Sequence, residues 1–163
     1  FLEHTIPDDL AGIKVALDGA NGSTSGLISR VFADLETEFT TTATHPDGLN
    51  INDGVGATHP EAVAKAVLEH GADFGISLDG DGDRLMMADR DGKLYDGDQL
   101  IYVVAKARAA RGQLAGGVVG TVMTNMAMEL ALQRQGVPFA RAKVGDAERQ
   151  PALRREGRWR GVW

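Results

Sequence analysis

Phe74-Gly75-Ile76-Ser77-Leu78-Asp79-Gly80-Asp81-Gly82-Asp83-Arg84-Leu85-Met86-Met87-Ala88 is the stretch on which the reading of this chain turns. Its two short apolar runs, bounded by turn-forming residues, read as strands. Between them three aspartates alternate with glycine. Extended residues at i, i+2 and i+4 point to one side. Asp79, Asp81 and Asp83 therefore converge, and they repel one another unless a cation sits among them. The glycines remove Cβ bulk, which permits a sharp turn and a close backbone approach. Carboxylate oxygens are hard ligands and select Mg²⁺ or Ca²⁺ over zinc or copper. The plain alternative is a polar hairpin turn, where Asp and Gly are common, but such a turn does not require three crowded charges. A calcium EF-hand fails on spacing, because its glycine position holds Arg84 and its closing glutamate position holds Arg90. Mg²⁺ fits, since it takes a few carboxylates and completes its octahedron with water and phosphate oxygens. Arg84 either grips a phosphate beside that ion or is a solvated surface arginine.

Upstream, Ile13 to Leu17 reads as a buried strand ending in the turn-rich Asp18-Gly19-Ala20-Asn21-Gly22. Ser23 or Thr24 is the expected cap of the next helix, with Leu27, Val31 and Leu35 as its apolar face. Phe39 to Ala43 is β-prone, residues 45–54 form an irregular loop, and Thr58 caps a helix from about Pro60 to His70 that stops at Gly71. Downstream, Asp89-Arg90-Asp91-Gly92 is a turn, and Asp96 or Asp98 opens a helix to about Ala110. The pattern then repeats as strand 118–121, helix 125–135 and strand 137–140. Strands alternating with helices predict α/β layers around a largely parallel sheet. Arg111-Gly112-Gln113 marks the expected boundary, giving domains 1–111 and 112–163. Met123, Met126 and Met128 read as helix packing. The run from Gly19 to Gly26 lacks the Gly-Lys pair of a P-loop and reads as a tight strand–helix connection.

With 43% apolar and 25% charged residues, the 163-residue chain is globular in composition and fits one good-sized domain, or one plus part of another. Its net charge of −6 argues against a nucleic-acid backbone binder while allowing a small phosphorylated substrate. The absence of cysteine excludes disulfides and thiolate metal sites and fits a reducing, cytoplasmic setting. No apolar run reaches membrane-spanning length, and Phe1-Leu2-Glu3-His4 is no signal peptide, so no membrane partner is expected. Without an initiator methionine, the chain is expected to begin inside a longer protein.

Two families share parts of this pattern. Phosphatases of the haloacid dehalogenase type place Asp-x-Asp-Gly at a strand end, which Asp79-Gly80-Asp81-Gly82 resembles, with Asp79 as nucleophile and Thr121, Lys143 and Asp146 as later elements. That resemblance breaks at Asp83, where Thr or Val is usual, and at Gln150 and Pro151, where a second acid is expected. The broader match is to the α-D-phosphohexomutases. It runs through Val15-Ala16-Leu17-Asp18-Gly19-Ala20-Asn21-Gly22, Asn50-Ile51-Asn52, Gly56-Ala57-Thr58-His59-Pro60-Glu61, residues 72–84, Asp96-Gly97-Asp98-Gln99 and Ala142-Lys143-Val144-Gly145-Asp146. Within that superfamily the chain resembles the bacterial phosphoglucosamine mutase branch more than phosphomannomutases or phosphoglucomutases.

The resemblance implies a three-layer α/β/α domain with a mixed, mainly parallel sheet, followed by a truncated second domain of the same type. It implies that Asp79, Asp81 and Asp83 hold Mg²⁺, that Arg84 adds a cation beside the transferring phosphate, and that Gly145 and Asp146 face the sugar. A phosphoserine upstream would give its phosphoryl group to a hexosamine phosphate, and remaining domains of the full-length enzyme would complete the site. The chain alone would then be inactive. A non-enzymatic Mg²⁺-binding module is the third possibility. Residues 147–163, arginine-rich and ending in Trp159 and Trp163, depart from the family pattern.

Overall fold

The computed structural model describes residues 10–114 and 116–143 of the chain. They divide into two compact units, one ending at Asp96 and the other starting at Gly97. The boundary expected at Arg111–Gln113 thus moves upstream by one helix. Packing is the reason: Ile101, Tyr102, Ala105 and Ala109 of that helix join Val118, Met128, Leu132 and Val137 in the second unit's core.

In the first unit β1 (Lys14–Asp18), β2 (Glu38–Thr42), β3 (Phe74–Leu78), β4 (Leu85–Asp89) and β5 (Leu94–Tyr95) form one sheet in the order β2-β1-β3-β4-β5. β1 is parallel to β2 and β3, whereas β4 is antiparallel to β3 and β5 in turn antiparallel to β4. The sheet is mixed; the expectation of a largely parallel one holds for its β2-β1-β3 side, because the aspartate loop turns β3 back into a hairpin.

α1 (Ser25–Asp34) links β1 to β2, and α2 (Glu61–His70) precedes β3. Alternation along β1 assigns each helix a face. Val15 and Leu17 pack with Ile28 and Phe32 of α1, while Ala16 packs with Val63, Ala66 and Val67 of α2. Helices on both faces make the three layers. Ala16, Gly75 and Ala88 lie side by side across β1, β3 and β4 beneath α2. A Cβ on Gly75 would sit 2.7 Å from the Cγ2 atoms of Val63 and Val67, so glycine here lets the helix reach the sheet. Val63 and Val67 are fully buried, each contributing about 1.5–3 kcal/mol.

The α1 face differs from expectation. Leu27 is 53% exposed, and the buried positions are Ser25 and Ile28, with Phe32 one turn on extending the stripe. Neither helix has the expected side-chain cap. Thr24 at the start of α1 makes no capping bond, and Pro60 takes that place in α2 while Thr58 bonds His59. Gly71 does stop α2, in the left-handed conformation (φ +61°).

The second unit holds α3 (Gly97–Ala110), β6 (Val118–Thr121), α4 (Met126–Arg134) and β7 (Phe139–Ala142), with β6 and β7 parallel. β7 begins two residues later than expected, since Pro138 carries no N–H and serves instead as acceptor for Val118 N. Asn125 caps α4 by accepting from Ala127 N. Of the three methionines only Met128 packs inside; Met123, before α4, and Met126, its first residue, are 79% and 62% exposed. Among the described residues no helix is long and apolar enough to cross a membrane.

Candidate metal centre

From β1 the chain goes to β2 on one side and then to β3 on the other, so the strand order switches direction between β1 and β3. Ligands of open α/β sheets gather in the crevice beyond the strand ends at such a point. Asp18 closes β1 and lies in register with Ser77 of β3, two residues before Asp79.

The predicted trio converges there. One carboxylate oxygen each from Asp79, Asp81 and Asp83 lie within 4.8 Å of one another, with Asp79 buried and the other two exposed. Asp79 is the anchor, at 1% exposure. Its Oδ1 accepts from Gly82 N and Arg84 N, both at 3.1 Å, and its Oδ2 takes the Arg84 Nε at 2.6 Å. Gly82 (φ +77°) supplies the left-handed turn that aims those amides inward. Arg84 therefore folds back on the trio, at 3.8 Å from Asp83 as well, although its side chain is 64% exposed.

The charges respond to one another. Burial pushes Asp79 up, but the Arg84 side chain, the Arg84 backbone N–H and a hydrogen bond with Asp83 outweigh it and lower Asp79 from 3.8 to about 2. Asp83 is raised, first by that same hydrogen bond with Asp79, then by partial burial and the charges of Asp79 and Asp81. Arg84 is raised by its bond to Asp79.

Two further loops wall the trio. Ser23 N donates to Gly80 O at 2.8 Å, and a Cβ on Gly22 would come within 2.3 Å of that oxygen. From the second loop Ile51 Cδ1 and Asn52 Nδ2 would lie 2.5 Å and 2.9 Å from a Cβ on Gly80, while Thr24 Cγ2 of the first would lie 2.7 Å from one on Gly82. Close by, Thr24 Oγ1 and Asn52 Oδ1 are buried and have no partner among the described residues. Three convergent carboxylate oxygens, with more negative charge than Arg84 alone balances, are the donor chemistry of a hard cation, so the residues fit Mg²⁺.

Other sequence expectations fare differently. Gly145 and Asp146 lie outside the described residues. Thr121 Oγ1 accepts from Met123 N within its own turn, and Lys143 is exposed beyond β7. Asp18 and Ser77, which sequence reasoning left as turn and strand residues, are both fully buried and bonded to each other at 3.1 Å. A polar residue at an inward position of an apolar strand was the available signal for Ser77.

Residues 4–92 match the family described as phosphoglucomutase/phosphomannomutase, alpha/beta/alpha domain II, and residues 96–161 match domain III. The second match crosses the arginine-rich stretch set apart above. The chain is 64% identical over 148 residues to a phosphoglucosamine mutase from Chromobacterium violaceum, covering 90% of this chain and 33% of that protein. It is 56% identical over 158 residues to the phosphoglucosamine mutase of Latilactobacillus sakei, covering 96% and 35%. The chain thus spans about a third of the length of these curated relatives. A phosphoglucomutase/phosphomannomutase family protein from Burkholderia thailandensis superposes with a TM-score of 0.75 at 25% identity, over 90% of this chain and 32% of that one. A putative phosphomannomutase from Thermus thermophilus shares the fold, with a TM-score of 0.66 at 17% identity over 84% and 32% of the two chains. With domains II and III matched in order along it, this chain belongs to the phosphoglucomutase/phosphomannomutase family.

Proposed function

We propose that this chain is the metal-binding part of a phosphoglucosamine mutase, which interconverts glucosamine 6-phosphate and glucosamine 1-phosphate. The observation that carries the reading is the convergent trio Asp79, Asp81 and Asp83 at the strand-order switch, beside Arg84. The choice of sugar rests on the relatives' names. A phosphoserine elsewhere in the full-length enzyme gives its phosphoryl group to the hexosamine phosphate. The bisphosphate reorients and returns its other phosphate, which moves phosphate between O6 and O1.

Bound by the trio, Mg²⁺ would neutralise charge on the transferring phosphoryl group. Asp79, fixed by two backbone amides, would be the rigid ligand, and Asp81 and Asp83 would hold the ion from the exposed rim. Arg84 brings a permanent cation to the same rim and stabilises negative charge that develops there. Gly145 and Asp146 are assigned to sugar contact in the third domain. A nucleophilic role for Asp79 is disfavoured, because both its oxygens already accept hydrogen bonds and the side chain is buried.

The test is a chimera in which these residues replace their counterpart in the Chromobacterium violaceum enzyme. It should interconvert the glucosamine phosphates in a Mg²⁺-dependent way, and D81N should abolish turnover. The isolated chain should show none. Preference of the chimera for glucose or mannose phosphates would transfer the reading to those mutases. Full activity of D81N in the presence of a chelator would overturn the metal role.

A further inference from the structure

At the end of β1, Asp18 is a fully buried carboxylate. Its partners are neutral donors from three different segments. Oδ1 accepts from Ala20 N at 2.9 Å; Oδ2 accepts from Gly56 N at 2.8 Å and from Ser77 Oγ at 3.1 Å. Burying an ionised carboxylate is costly unless several hydrogen bonds offset it. A neutral side chain filling this space would avoid that cost, but it could not accept three donors at once. An asparagine offers one oxygen and turns an N–H₂ toward the remaining donors.

Each segment held by Asp18 bears on the aspartate loop. Ala20 leads into Gly22 and Ser23, which lie against Gly80. Gly56 (φ +80°) runs so close to the strand end that a Cβ there would sit 2.9 Å from Leu78 O, and Ala57 N donates to that same oxygen at 3.0 Å. Ser77 is in the strand that delivers Asp79. The left-handed residues Ala20 (φ +54°), Asn21 (φ +49°) and Asn52 (φ +57°) store strain in the same two loops. That conformation persists only if the surroundings hold it, and the Asp18 carboxylate is the point where both loops and β3 are tied together.

We propose that Asp18 is a positioning residue for the metal centre: its carboxylate clamps the 19–24 turn and the 50–57 loop onto β3, so that Asp79, Asp81 and Asp83 are preset for the ion. This rests on the metal reading above and names a determinant of affinity outside the ligand set. The test uses the whole 163-residue chain and Mn²⁺ as probe, followed by electron paramagnetic resonance, with thermal unfolding measured on the same samples. D18N is expected to weaken Mn²⁺ binding by roughly tenfold or more, the range found when groups that orient metal ligands are removed. S77A, which removes one of three donors, is expected to weaken it a few-fold. V67A, a cavity variant in the α2 core, serves as the control for general loss of stability; it should lower the unfolding temperature yet bind Mn²⁺ within about twofold of wild type. Undiminished affinity in D18N, or a loss in V67A matching that in D18N, would overturn the proposal. If D18N fails to fold, S77A decides, and unchanged binding there overturns it. Absence of Mn²⁺ binding by the wild-type chain would instead sink the metal reading itself.

Discussion

Gly22→Ala is a one-carbon change whose consequence is set by backbone geometry. The added Cβ would stand 2.3 Å from Gly80 O, 2.6 Å from Gly80 Cα and 2.7 Å from Gly80 C. All three are main-chain atoms of the aspartate loop, so no side chain can rotate away and the two loops must separate. Overpacking of this kind costs about 1–3 kcal/mol. The separation also lengthens the 2.8 Å bond from Ser23 N to Gly80 O, a further ~1 kcal/mol. Together they predict a loss of about 2–4 kcal/mol for the first unit, with weaker Mn²⁺ binding because Gly80 joins Asp79 to Asp81. Gly26→Ala, four residues on in α1, is the internal contrast: its Cβ would have nothing within 4 Å, and Gly→Ala in an exposed helix stabilises by about 0.5–1 kcal/mol. Urea unfolding of both variants, read by circular dichroism beside a Mn²⁺ titration, checks this. A Gly22→Ala protein within ~0.5 kcal/mol of wild type, binding Mn²⁺ normally, would refute the reasoning from loop contact.

Gly71→Ala isolates conformation from packing, since the φ of +61° is left-handed and a Cβ would touch nothing within 4 Å; chemical denaturation should show a loss of about 1 kcal/mol. In metal-free protein, the lowering of Asp79 from 3.8 to about 2 favours the ionised folded form, so its contribution is fully present above the unfolded value and disappears as pH falls through about 2. Acid titration of D79N followed by circular dichroism should lack that segment of pH dependence, and an unchanged acid transition would remove Asp79 as its source. Arg84→Ala removes the cation bonded to Asp79 Oδ2, so divalent-ion affinity should rise by a few-fold while turnover of the chimeric mutase falls; a drop in both would show Arg84 to be only a structural clamp.

Much of the fold was legible because its signals are local. Alternating strands and helices, the left-handed stop at Gly71 and the Asp89–Gly92 turn need only neighbours along the chain. The convergence of the three aspartates was legible for a stronger reason: their alternation with glycine turns them to one side, where like charges crowd. What the sequence concealed depends on contacts distant in the chain. The α3 helix continues from a strand of the first unit but buries Ala105 against Val118 and Leu132, and only that packing assigns it to the second. The face of α1 was misjudged because Leu27 and Ile28 are equally apolar, and the sheet selects Ile28. Asp18 looked like a turn residue because aspartate is common in turns. Its bonds to Gly56 N and Ser77 Oγ span 38 and 59 residues.

The placement of the three acids also limits the cost of crowding them. If all three aspartates were buried, their repulsion in a low-dielectric setting would open the loop. Here only Asp79 is buried, and it is held low by Arg84 and two amides, while Asp81 and Asp83 remain in water. Asp83 is raised by its neighbours, first by its hydrogen bond with Asp79. On the proposed metal reading, a divalent cation bound by the trio would supply more neutralisation at Asp79 than the single charge of Arg84 does. The guanidinium, 64% exposed and tethered by a flexible stem, would then be free to meet a phosphate at the same rim. On that reading, ion binding and phosphate contact would meet at one carboxylate oxygen, Asp79 Oδ2, which Arg84 Nε reaches at 2.6 Å.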